Sequence, residues 1–117
     1  MRRLVIAPAA RLDAAAALRE SRRSFGPIVR GRYGSLILAA YEDIRADPTR
    51  PGVQTVEIDG LELNLYHLRH SRLRPAAQDR ISRPRHLAIF TFDLERVRVI
   101  RLLHDSMDVG RHISPNV

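Results

Sequence analysis

The chain has no cysteine and no lysine, and only 5% of its residues are aromatic. Without cysteine there is no disulfide framework and no thiolate to serve as nucleophile or metal ligand, and a cytoplasmic protein is expected. Long apolar runs are missing too. None approaches the ~18 residues that would cross a bilayer, so no membrane segment is expected. The apolar stretch behind the N-terminal arginines, Leu4 to Pro8, is too short for the hydrophobic region of a secretory signal. Because lysine is absent, all 20 basic residues are arginine, and against 13 acids they leave a net charge of +7. Arginine keeps its charge in proteins and forks onto carboxylates and phosphates. The charge therefore points to an anionic partner, either nucleic acid or an acidic polypeptide, without choosing between them.

The 117 residues form one domain spanning 1–117, long enough to bury about two thirds of the unfolded surface in a single core. Arg3 to Ala7 reads as a short strand. Pro8 suits the first turn of a helix, and the alanine-rich stretch from Pro8 to Phe25 continues it, with Ala14, Ala17, Leu18 and Phe25 on one side and Ser21 interrupting them. Phe25-Gly26-Pro27 stops one helix and starts the next. From Pro27 to about Ala46, Val29, Tyr33, Leu36, Ile37, Ala40 and Ile44 recur at helical period. So short a connection predicts an antiparallel helical hairpin.

Asp47 to Gly52 breaks the chain. Val53 to Ile58, the turn pair Asp59-Gly60 and the alternating Leu61, Leu63 and Leu65 predict a β-hairpin whose first strand is an edge. Arg69 to Arg85 follows, with six arginines, one histidine and one acid, and is too polar for core. Leu87 to Phe92 and Val97 to Leu103 are apolar on both faces, which predicts central strands. After them Asp105 is placed to cap a short helix, with Asp108 three residues on. Helices early and strands late predict an α+β fold.

Several groups are candidates for chemistry. His67 and His70 have an HxxH spacing, but they sit at a strand end without cysteine or further clustered ligands, so ordinary histidines are expected and no metal or other cofactor. His104 with Asp105 or Asp108 is either an acid–base couple or a cap with a hydrogen-bonded histidine. Arg69, Arg72, Arg74, Arg80, Arg83 and Arg85 suit phosphates or carboxylates, or form a solvated loop. The stretch lacks interleaved aromatics for base stacking. Arg101 lies on an otherwise apolar strand face and either pairs with an acid such as Glu62 or Asp105 or opens onto a site.

RLVIAPAARLD at the N-terminus, the Phe-Gly-Pro break, the helix of Tyr33 ending in ADPTRPG, YHLRHSR, RPRHLAIF and above all VIRLLHDSMDVGRHI resemble the ParE toxins of the RelE/ParE superfamily. The likeness runs over nearly the whole chain, and the terminal LHD-x-MD-xx-RH is its most specific part. It implies a β-α-α-β-β-β fold, with an N-terminal helical hairpin packed on a mostly antiparallel sheet and a short C-terminal helix. It implies a type II toxin–antitoxin module, with a ParD-like antitoxin whose acidic C-terminal tail folds on the toxin, in a heterotetramer that touches operator DNA only through the antitoxin. The tail's expected seat is the helical hairpin and adjoining sheet edge, through Ala14, Ala17, Leu18, Arg22, Tyr33, Ile37 and Tyr41.

ParE-type members poison DNA gyrase without chemistry of their own, whereas RelE-type members cleave mRNA on the ribosome. For the first activity, Arg69, His70, Arg72, Arg83, Arg85, Arg101 and His104 are the expected target-binding residues. For the second, the remaining candidates are Arg85, His86, Arg101 and His104. The positions where nucleases of the superfamily carry basic and proton-transferring residues hold Ser106 and His112 here, and that departure favours the gyrase branch. A third reading is a family member that only binds its antitoxin. Further departures are the alanine-rich first helix, a longer segment 53–64 and a long loop 71–84.

Overall fold

The structure, a computed structural model, describes residues 1–113. The elements run β1 (Arg3–Ile6), α1 (Pro8–Phe25), α2 (Pro27–Ala46), β2 (Gln54–Ile58), β3 (Leu61–His67), β4 (His86–Phe92), β5 (Arg96–His104) and α3 (Val109–His112), with short 3-10 turns at Leu68–Ser71 and Ala77–Asp79. One sheet holds all five strands in the order β1-β5-β4-β3-β2. β1 pairs parallel to β5, and the remaining pairs are antiparallel. The fold is α+β as expected. Four strands follow the helical hairpin, however, rather than the three in the β-α-α-β-β-β order, because QTVEI and LELNLYH are separate strands. Asp59 and Gly60 between them both have positive φ, 52° and 81°, the geometry of a tight two-residue hairpin turn.

The sheet is covered on both sides, which is why β4 and β5 are apolar on both faces. Beneath the helices, Leu36, Ile37, Ala40 and Ile44 of α2 pack on Tyr66, Ala88, Phe90, Val97, Val99 and Leu102. Fully burying a side chain such as Phe90 contributes about 1.5–3 kcal/mol. On the far face Leu63, Ile89, Ile100 and Leu103 meet Ile113, and Val109 of α3 packs beside them. A register shift between Ile89 and Phe90 lets Ile100 join Leu103 on that face.

α1 departs from its expected stripe. Ala10 and Ala17 are buried, but Phe25 is 72% exposed. An 18-residue helix is about 27 Å long, and its last turn leaves the core behind. The polar segment between β3 and β4 is anchored rather than loose. Ser71 is buried and donates its hydroxyl to Asp43 Oδ2 at 2.6 Å. The same carboxylate, 3% exposed, pairs with Arg74 and with Arg50 at 3.1 Å. Gly52 sits under this segment with φ 102°, and a Cβ there would lie 2.7 Å from the His70 ring. Among the described residues no helix is long and apolar enough to cross a membrane.

Candidate functional site

The antiparallel register gathers one end of the sheet into a polar cluster. His86 opens β4 directly opposite His104, which closes β5, and His67 ends β3 opposite Leu87. Residues far apart in the chain thereby meet. The His86 and His104 rings stand edge to face with centroids 5.3 Å apart. Asp105 anchors the cluster: its amide donates to the Arg85 carbonyl at 2.7 Å. Its Oδ1 accepts from Arg85 Nε at 3.2 Å, and its Oδ2 lies 3.0 Å from His67 Nε2. His67 Nδ1 already accepts from the Arg69 amide at 3.1 Å, so the imidazole proton is on Nε2 and donates to Asp105. Burial works to raise the Asp105 carboxyl, but the hydrogen bonds from His67 and Arg85 and the Arg85 charge outweigh it and hold the group below its ordinary value.

Tyr33 reaches into this cluster from α2. Its oxygen accepts from the Arg85 amide at 3.1 Å and lies 2.6 Å from His86 Nδ1. Burial and the neighbouring His104 push His86 down to about 4, so the ring is neutral at physiological pH. The tyrosyl hydroxyl therefore donates to Nδ1, and the His86 proton sits on Nε2. Burial raises Tyr33 above its ordinary value, which keeps the hydroxyl protonated. His104 Nδ1 accepts from the Ser106 amide at 3.1 Å and from its hydroxyl at 2.7 Å. Asp108, rather than Asp105, caps α3, its carboxylate accepting from the Gly110 amide at 3.0 Å. Asp105 is drawn away from that role by Arg85 and His67.

Arg101 has a different partner from either acid expected. Its guanidinium forks onto Asp13 of α1, with Nε to Oδ2 at 2.7 Å and Nη2 to Oδ1 at 3.0 Å, while Nη1 donates to the His112 carbonyl at 3.0 Å. The hydrogen bond to Asp13 raises Arg101 further. β5 outruns β1, whose last paired residue is Ile6 against Val99. Asp13 takes over the exposed edge by accepting from the Leu102 amide at 3.0 Å. Asp13 was not singled out in the sequence; its one signal was to be the sole acid in the alanine-rich half of α1.

Arg69, Arg72, Arg83 and Arg85 do come together. With Ser82, His67 and Asp105 they line a depression of about 330 Å³. His70 faces another way, its ring against Gly52 and Tyr66. A larger cavity of about 600 Å³ opens between the ends of α1 and α2 and the arginine segment, reaching Tyr33, His86 and His104. Of the residues expected to seat an antitoxin, Ala17, Tyr33, Ile37 and Tyr41 are buried, Ala14 and Leu18 pack half-buried against the core, and only Arg22 is exposed. Their apolar stripe is consumed by the protein's own sheet. The outward apolar side chains of the hairpin are instead Leu12, Phe25, Ile28 and Leu38. Among the described residues no three histidine or acidic side chains converge to hold a metal ion. No protein-family model matches the chain, and no curated protein matches it.

Proposed function

We propose that this chain is the toxin of a type II toxin–antitoxin module, resembling the RelE/ParE superfamily, and within it a ParE-like protein that inhibits DNA gyrase by binding. Three of the motifs behind the resemblance, YHLRHSR, RPRH and LHD, contribute His67, Arg85, His86, His104 and Asp105 to one cluster. The observation that carries the binding reading is how that cluster is used. Both Asp105 oxygens, His104 Nδ1 and His67 Nδ1 are engaged inside the protein. The motif braces the end of the sheet, and Arg69, Arg72 and Arg83 stand exposed beside it for an anionic partner.

The antitoxin is ParD-like, with an acidic tail that folds on the basic toxin. Its seat is the outer side of the helical hairpin, where Leu12, Ile28 and Leu38 are exposed, and the assembly is a heterotetramer that reaches operator DNA through the antitoxin. One observation favours a second reading, a ribosome-dependent endoribonuclease. The Tyr33 hydroxyl and His86 are 2.6 Å apart beside a cavity bordered by Arg83 and Arg85, a pairing able to relay a proton at a phosphate.

Expression without the antitoxin separates the two. Growth arrest with relaxed plasmid DNA and intact mRNA supports gyrase. Arrest with cleaved mRNA, lost in His86→Ala, supports the nuclease. Normal growth contradicts both.

A further inference from the structure

The cavity of about 600 Å³ has features beyond the Tyr33–His86 pair and the arginines that the nuclease reading borders it with, and we infer that it binds a nucleoside phosphate unit, with the base against Phe25 and the phosphate on Arg32 and Arg83. Its volume falls within the range of small-molecule sites, about 300–1,000 Å³. One wall is apolar, made of Ala17, Phe25, Val29 and Ile81; the rim carries four guanidiniums, Arg32, Arg80, Arg83 and Arg85, against the single carboxylate of Glu20. That carboxylate is already engaged by Arg23 and by the Ser24 hydroxyl.

Two of the four guanidiniums are spoken for. Arg80 holds the carbonyls of Leu73 and Pro75, and Arg85 holds Asp105. Arg32 and Arg83 make no ion pair or side-chain hydrogen bond among the described residues. The Nε of Arg32 is moreover buried without a hydrogen-bond partner. A buried donor left unbonded is costly, and nothing among the described residues compensates it. An anionic oxygen is the acceptor that two unpaired guanidiniums in an arginine-rich rim select.

Phe25 decides what the anion is attached to. It is 72% exposed at the mouth of the cavity, whereas the other rings of its lining, Tyr33, His86 and His104, are buried or half-buried and already hydrogen-bonded within the protein, and an exposed aromatic face there suits a planar base. The arginine segment carries no aromatic of its own; the fold supplies one from the end of α1. The inference does not rest on the toxin reading, since it concerns a cavity that exists whatever the target.

Calorimetric titration of the purified chain tests it, with adenosine 5′-monophosphate, inorganic phosphate, a single-stranded oligoadenylate RNA and a polyglutamate peptide as probes. The nucleotide should bind about tenfold or more tightly than phosphate, the margin that base stacking supplies. Arg83→Ala should weaken both. Phe25→Ala should weaken the nucleotide and leave phosphate unchanged. Both positions are exposed, so folding is not at stake. Tighter binding of the oligonucleotide than of the mononucleotide identifies a strand as the source, and equal binding identifies the free nucleotide. The inference is overturned if no nucleotide binds, if phosphate binds as well as the nucleotide and Phe25→Ala changes nothing, or if polyglutamate binds and the nucleotide fails to displace it.

Discussion

Single side chains at the end of the sheet carry the sharpest consequences. His86 is pushed down to about 4, well below the ordinary histidine value near 6.5. Above pH 6.5 the ring is neutral in both folded and unfolded chains and stability does not depend on it. As pH falls the unfolded chain takes the proton first, so the folded state loses stability progressively between about 6.5 and about 4. Proton NMR titration should show one imidazole still neutral at pH 5; a His86 that titrates near 6.5 contradicts the geometry. Tyr33→Phe removes the acceptor of the Arg85 amide and the donor to His86. The cost expected is about 1–3 kcal/mol in urea unfolding, and an unchanged midpoint would count against those bonds. Asp13→Ala strands Arg101 and uncovers the Leu102 amide. A loss of about 2 kcal/mol or more is expected, where an exposed ion pair would give about 1 or less.

Among the elements, the segment between β3 and β4 depends on one buried carboxylate. Asp43 holds Ser71, Arg50 and Arg74, and these contacts turn a polar run into a fixed wall. Asp43→Ala should release it, seen as faster trypsin cleavage after Arg72 or Arg80 (Arg74 and Arg83 precede proline and resist trypsin) while the rest of the chain stays resistant; unchanged cleavage would mean the segment is held elsewhere. Much of the fold was legible because it is written locally. Pro8, Phe25-Gly26-Pro27 and Asp59-Gly60 mark element ends with backbone chemistry that needs no tertiary context. The two-sided apolar character of β4 and β5 announced central strands. The pairing of β1 beside β5 was not legible, since nothing in RLVI names its neighbour. Nor was the role of Asp105, which depends on an arginine and a histidine 20 and 38 residues away. The same distance problem hid Asp13, which is 88 residues from Arg101.

For the whole molecule, the charge of +7 matters through where it is displayed. Arg69, Arg72, Arg83 and Arg85 share one face at the end of the sheet. Association with an anionic partner should therefore weaken steeply as salt rises and the Debye length falls below about 10 Å. Composition pointed to that partner class and could not place the surface, because the arginines are spread from Arg2 to Arg111 along the chain. Only the register of the strands decides which of them meet. Inhibition of purified gyrase tests the central claim most directly: relaxed plasmid, gyrase, ATP and increasing amounts of this chain, compared with the variant Arg69→Ala/Arg72→Ala/Arg83→Ala. Dose-dependent loss of supercoiling, diminished in the triple variant, is the result expected. Full supercoiling in the presence of excess folded protein would contradict it.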